Sequence, residues 1–512
     1  MSIDSTPITD AFNEAADAVY HAGGFDVSQM ADPKAQKVIE ETLRCISGGI
    51  NTALPTDVPE TLRYALENNA FIFSGLKTFH ALREVGLSMV KDDGSIKSFE
   101  EFKDDVKQIN SKYNTNYLYA EYKHAVGTSQ MAAKWVNIEA DGDRYDLQYR
   151  TAGDDKVRPD HAALDGITLP PSDPFWSKYY PPNGWGCRCT AVQVRVGKYP
   201  RSNPADAMQA GDVATDEAKQ KMFRYNSGQT MHLFPDKHPY YKAPAAAKDA
   251  AVGYVSAGFD ARTIEEAEQQ FTDKLGVKCS LKGMKKKNMQ QVADIFASVE
   301  KHFKLHPELR DKIKFVGTSQ GRQMLYEELE YQELKTRYPS FPDASLRRYA
   351  KSYARKACSA GSNTYAYSAP SEKHGLNGLA FNATYQGEKV ETSLKRDVST
   401  KWHPVGCDTL KSIFDHELGH KLDELLGLCT DSDFLRIFKE AELKGADYIH
   451  ENLSRYAYNP KNGRITYREY DAHKEFIAEA WSEYLNNDKP RPIASAVGML
   501  VLKKYKELVK KP

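Results

Sequence analysis

Apolar residues return at helical spacing through most of the first hundred positions: Ala11 to His21, Asp32 to Ile46, and Leu62 to Val90, within which ALENNAFIFSGLKTFHALREVGLSMV keeps up the period. The pattern stops at KDDGS, Lys91 to Ser95, a turn sequence. From 119 to 243 the texture changes. A strand-like alternation, Arg144 to Thr151, sits among Tyr, Trp, Pro and Gly, and Arg158 to Arg195 is dense in turn-formers and large aromatics. Loops of that composition must be held by specific packing. KAPAAAKDAA, Lys242 to Ala251, reads as a mobile, exposed linker. Beyond it the periods mix. Asn288 to Phe303 carries Met289, Val292, Phe296, Val299 and Phe303 on one helical stripe. Ile313 to Gly317, Thr364 to Ala369 and Gly378 to Asn382 read as strands, and Arg322 to Arg337, Ala344 to Lys356, Thr409 to Leu426 and Ala472 to Leu485 as helices. The fold class expected is α+β and multidomain, with a mainly helical region at 1–118, a loop-rich module at 119–243, a linker at 244–255 and a mixed α/β domain at 256–512.

A chain of 512 residues is too long for one ordinary core, and 41% hydrophobic content is ample for several. Seventy basic and seventy acidic residues cancel, so no overall field recruits specific nucleic acid or an anionic membrane, and a partner must be found by shape. The opening MSIDSTPITDAFNEAADAVY has acid where a secretory leader has base. The longest apolar run, Ile493 to Leu502, is about half of what spans a bilayer. A soluble product made in a cytoplasm is expected. Seven thinly spread cysteines fit a reducing compartment better than a disulfide framework.

Into this frame FDHELGHKLDELLG, Phe414 to Gly427, brings chemistry. Residues four apart share a helix face, so His416 and His420 point the same way with Glu417 beside them. Accident supplies about 0.03 matches to His-Glu-x-x-His in a chain of this length and histidine content. Leu410, Phe414, Leu418, Leu422 and Leu425 give this helix one apolar stripe, and Gly419 inside the motif points to close approach by another backbone. A catalytic zinc takes three protein ligands and one open position, so a third ligand must come from elsewhere. The helix His473 to Leu485 offers Glu475, Glu479 and Glu483, spaced four apart along an apolar stripe. Asp423, one turn beyond His420, is either a carboxylate orienting a ligand or an ordinary helix-surface acid. GLAFN, Gly378 to Asn382, is either an edge on which an extended peptide pairs or an interior strand.

HELGHKLDELLG followed by EFIAEAW resembles the metallopeptidase domain of the anthrax lethal factor-like family, closely over these two helices and loosely from Val252 to Pro512. The resemblance implies a zincin-like fold with a central HExxH helix and Zn2+ as cofactor. It also implies His416, His420 and Glu475 as ligands, Glu417 as general base, Glu479 in support and Tyr456 in LSRYA as oxyanion donor. An extra stretch, YNPKNGRITYREYDAHK, leaves Tyr458, Tyr467 and Tyr470 as competitors for that last role. Zinc of this kind brings the pKa of a water to about 7, Glu417 takes its proton, and a polarised peptide carbonyl is attacked.

The other unusual segment is RPDHAALDG followed by PPNGWGCRC. His161, Asp165, Cys187 and Cys189 are all capable ligands, yet Cys-x-Cys with one distant His lacks the paired spacing of a zinc ribbon. Loops pinned by buried thiols are the plainer reading, and metal the sharper one. Arg158, His161, Asp165, Gly166, Cys187, Arg188 and Cys189, with the later FRYNSGQTMHLFPDKHPYY, resemble the phage Mu F-like minor head, or head morphogenesis, proteins over about 64–241. That resemblance implies a component of a tailed-phage or prophage head, with portal or capsid proteins as partners and no catalysis in that part. Joined, the two resemblances lead to the expectation of a virion protein that carries a zinc peptidase acting on a peptide or protein substrate, in the head or in the host cytoplasm. The competing expectation is a purely structural head or portal-associated protein whose zincin-like domain is inactive.

Overall fold

Long apolar periods become long helices: Thr6–His21, Pro33–Ala53 and Glu60–Ser88, extended by Phe99–Asn110 and Leu118–Asp141. Asp32 starts the second of these by accepting the Lys34 N–H at 2.8 Å, with Pro33 at the first helical position. In this computed structural model the residues described are 4–358, 364–369, 373–458, 460–461, 464–465 and 469–510. The chain divides into two units, Met1–Val255 and Ser256–Pro512, each mainly helical with small sheets, so the protein is α+β and multidomain. No described helix is long and apolar enough to cross a membrane.

In the first unit, Glu60–Ser88 is covered on nearly every side, and its buried polar residues need internal partners. Lys77 Nζ meets Glu121 Oε2 at 2.5 Å with both side chains out of water. Burial pushes the lysine down and the carboxyl up, opposed by their mutual attraction. A three-stranded antiparallel sheet has β1 (Tyr145–Arg150) between β2 (Thr168–Leu169) and β3 (Thr190–Arg195), with Leu147 opposite both Leu169 and Gln193. Its core is the aromatic set the sequence suggested: Tyr149, Phe175, Trp176, Tyr179 and Tyr180 are all buried.

Two expected boundaries in this half are corrected. The division at 118/119 falls inside continuous helical chain, because a π-helical turn at Ser111–Tyr117 runs into Leu118–Asp141. One core spans both sides, with Phe73 stacked on Phe234 at 3.7 Å between ring centroids. The linker expected at 244–255 contains a helix, Ala245–Ala251, whose Ala247, Ala250 and Ala251 are buried in that core. Gln36 donates to the Ala250 and Ala251 carbonyls at 3.2 and 3.1 Å, and Gly75 leaves the space that Ala251 fills. Small residues read as mobility in the sequence; here their size permits close packing, and alanine favours helix.

The second unit holds a mixed sheet in the order β4 (Lys278–Ser280), β5 (Phe315–Thr318), β7 (Gly378–Phe381), β6 (Ala366–Ala369), parallel except for β6. GLAFN is therefore interior: β7 is bonded to β5 on one side and β6 on the other, which removes it as a peptide-binding edge. Gly378 (φ 146°) is required there, since a Cβ would lie 2.0 Å from the Phe315 carbonyl oxygen. The helix Leu410–Leu426 packs on this sheet through Phe414, whose ring is 5.5 Å from that of Phe381.

Candidate metal centre

Both ends of the helix Leu410–Leu426 are capped. The Thr409 and Ser412 side chains each accept from the other's backbone N–H, and Gly427 closes the helix in the left-handed conformation (φ 67°). Between the caps Asp415, His416, Glu417, Lys421 and Asp423 are all buried, so this is a central helix with a polar interior face. Asp415 ties it to its neighbours by accepting from Ser298 Oγ and from Asn486 Nδ2 at 2.8 Å, and also accepts from Lys411 Nζ, one turn earlier in the same helix, at 2.6 Å.

His416 and His420 lie one turn apart with ring centroids 4.9 Å apart and planes nearly perpendicular. The facing helix, Glu469–Asn486, comes close because Gly419 has no side chain: a Cβ there would sit 2.9 Å from Ala478 Cα. That approach delivers Glu475. Its Oε2 is 3.3 Å from His416 Nε2 and 3.6 Å from His420 Nε2. The same oxygen is buried and accepts no hydrogen bond.

The three carboxylates spaced along the facing helix have separate destinations. Glu475 goes to the imidazole pair. Glu479, fully buried, has Oε1 2.9 Å from His416 Nδ1 and 3.4 Å from His403 Nδ1, while Oε2 accepts from Ser454 Oγ at 2.6 Å. The His416 contact has the distance of an ion pair without the alignment of a hydrogen bond. Glu483 is bidentate to Arg491, at 2.9 and 2.6 Å, and lies outside the site. Glu479 favours the proton of His416 on Nδ1 and leaves the Nε2 lone pair facing Glu475.

Without an ion, a proton supplies the positive charge that these carboxylates attract. Burial alone would push His416 down, yet Glu475 and Glu479 together outweigh it and hold the imidazole well above its ordinary range. Burial would raise Glu475, but His416 and His420 pull it far below the usual carboxylate range. Glu479, also opposed by burial, is drawn down to about 2 by His403 and His416. The cluster is arranged to hold positive charge at its centre.

The donor set fits a divalent zinc ion. Bonds of about 2.0–2.1 Å in tetrahedral array separate two ligand atoms by about 3.3–3.4 Å, the scale of the two Glu475 distances. A buried carboxylate oxygen that lies between two imidazole nitrogens and accepts no hydrogen bond is what such an ion would satisfy. Glu417 is buried beside the pair and is not one of the three converging donors.

Of the tyrosines considered, Tyr456 has its ring 5.9 Å from that of His416 and 5.8 Å from that of His403, and its N–H donates to the Trp402 carbonyl at 3.2 Å. Tyr458 turns elsewhere, with its hydroxyl 3.5 Å from Glu442 Oε1 and its ring against Phe438. Tyr467 and the side chain of Tyr470 lie outside the described residues. Asp423 is not a surface acid: it is buried and accepts the Cys429 N–H at 2.7 Å, which anchors the loop after the helix. His403 and Ser454 were missed by sequence reasoning. Both come from irregular segments with no period and no motif to flag them.

In the first unit, Asp165 accepts from Thr151 N and Oγ1 at 2.7 and 3.0 Å and stitches a turn. Arg158 donates to the Trp185 carbonyl, while His161, Cys187 and Cys189 converge. A third group, Glu330, Glu333 and His374, already has Lys373 Nζ at 2.6 Å from Glu330 and 3.4 Å from Glu333.

Comparison with known proteins bears on the first unit. Residues 95–192 match the family described as Phage Mu protein F like protein. A stretch covering 24% of the chain is 29% identical over 132 residues to the putative capsid assembly protein F of Escherichia phage Mu. A stretch of 77 residues, 14% of the chain, is 36% identical to the Mu-like prophage FluMu F protein of Haemophilus influenzae. These stretches span 27% and 19% of the two relatives' own lengths. No solved structure matches the chain. The chain thus carries a Mu F-like segment containing Arg158, His161, Asp165, Cys187 and Cys189.

Proposed function

We propose that the protein is a head-associated component of a tailed phage or prophage whose second unit, Ser256–Pro512, is a zinc-dependent peptidase with a zincin-like fold. The head role is supported by the Mu F-like segment and by the likeness of a 132-residue stretch to a putative capsid assembly protein, and makes portal or capsid proteins the partners and the virion the destination. The peptidase reading is carried by one observation: Glu475 Oε2 is buried, accepts no hydrogen bond, and lies 3.3 and 3.6 Å from two imidazole nitrogens.

In this reading His416 Nε2, His420 Nε2 and Glu475 hold the ion, and Glu479 fixes the His416 ring. Zinc supplies Lewis acidity that acidifies a water and polarises a carbonyl. Glu417, beside the pair, takes the water's proton and passes it to the leaving amine. Tyr456 donates its hydroxyl to the oxyanion that develops. An extended substrate pairs along β6, which among the described residues is bonded to β7 alone and is the edge of the sheet that supports the metal helix.

The test uses the full chain. Glu417→Gln should keep zinc and lose cleavage of a broad peptide library, whereas His420→Ala should lose both. Cleavage undiminished in Glu417→Gln removes the general base and with it the mechanism.

A further inference from the structure

We propose that His161, Cys187 and Cys189 form a second zinc site, in the first unit, that fastens the turn after Arg158 to the loop before β3. Their donor atoms all lie within 4.8 Å of one another. His161 Nδ1 is 3.6 Å from Cys187 Sγ and 3.6 Å from Cys189 Sγ. A single ring N–H points at one acceptor, so a hydrogen bond explains one of these contacts and leaves the other over. A shared ion explains both. Tetrahedral bonds of about 2.3 Å to sulfur and about 2.0–2.1 Å to nitrogen set the two atoms about 3.6 Å apart.

The surroundings suit an ion with one open position. His161 and Cys189 are buried and Cys187 is half-buried. A cavity of about 60 Å³ adjoins the three donors, with room for a water as fourth ligand. Two thiolates balance a dication. Of the nearby guanidinium groups, Arg188 is bidentate to Asp154 at 2.5 and 2.6 Å, and Arg158 donates to the Trp185 carbonyl through Nη2. Coordination through Nδ1 puts the ring proton on Nε2, so the Arg158 Nη1 group, 3.4 Å away at the limit of hydrogen bonding, turns off that nitrogen.

The need for such a link is visible in the local chain. His161 sits in a single helical turn, Pro159–Ala162, and the cysteines precede the first residue of β3, in a stretch with no ladder of its own. None of the seven cysteines forms a disulfide, so a metal is the cross-link the two segments can share.

Sulfur separates this site from the His416 centre. In the full chain reconstituted with Co2+ under reducing conditions, a thiolate-to-cobalt charge-transfer band is expected. It should persist in His420→Ala and vanish in the Cys187→Ser/Cys189→Ser double variant. In the unaltered chain loaded with zinc, both cysteines should resist alkylation and lose that protection on adding a chelator, as read by peptide mapping. Absence of the band from the wild-type chain, or equal alkylation with and without chelator, overturns the site whatever becomes of the peptidase.

Discussion

At the scale of single residues, the buried carboxylates of the second unit divide their labour by geometry. Glu475 and Glu479 are one helical turn apart, yet one faces two Nε2 atoms and the other the Nδ1 atom of the same histidine. Removing the outer one should loosen the ion without removing a ligand: Glu479→Gln is expected to weaken zinc by about 10–100-fold, measured by competition with a chromophoric chelator, while Glu417→Gln leaves affinity unchanged. Gly419 makes a different prediction. An alanine there gains about 1 kcal/mol of helix propensity, but its Cβ meets Ala478 Cα at 2.9 Å, which is backbone and cannot rotate away. Overpacking of this kind costs about 1–3 kcal/mol, so Gly419→Ala should lower the stability of the second unit, and a rise in thermal midpoint would contradict the close approach.

At the scale of elements, the motif helix is held from behind by the helix Met289–Leu305. His302 links that helix to the Glu475 helix: its Nδ1 faces the Ser298 carbonyl at 2.8 Å and its Nε2 accepts from the Trp481 indole at 2.9 Å, so the ring is neutral. Burial is the main cause that lowers it to about 4, against the attraction of Asp415. An unfolded histidine takes up a proton near pH 6.5, and the folded ring stays neutral to about 4. Between these values the unfolded state binds more protons, so stability falls as pH falls, by roughly 3 kcal/mol across the window. The protection of the 289–305 amides in the full chain, taken relative to their intrinsic exchange rate at each pH, should fall from pH 6.5 towards 4, and His302→Gln should flatten that dependence. Helical period made this level legible in the sequence. Spacing of four placed His416 with His420, and set Glu475 and Glu479 on one helix. His403 and Ser454 reach Glu479 from segments without period, so only the folded chain identifies them. GLAFN was legible as a strand but not as an interior one, because order within a sheet depends on pairings that the strand's own residues do not encode.

At the scale of the whole molecule, the junction near Val255 was visible as a change of pattern, but the residues before it were misjudged. Alanine-rich chain serves equally as linker and as small packing surface, and the choice lies with Gly75 and Gln36, far away in sequence. Backbone amides of Ala247 to Ala251 should therefore exchange slowly, at rates set by opening of the first unit; exchange within seconds would restore the mobile linker. The separation at 118/119 failed for a related reason: a boundary inferred from composition fell within one continuous helical run whose core is shared across it. The second unit's proposed chemistry rests on a cation drawn between residues of two helices. Its most direct test is anomalous diffraction at the zinc edge from crystals of the full chain. A peak about 2.0–2.2 Å from His416 Nε2, His420 Nε2 and a Glu475 oxygen is expected; zinc-loaded crystals with no density between those three side chains would contradict it.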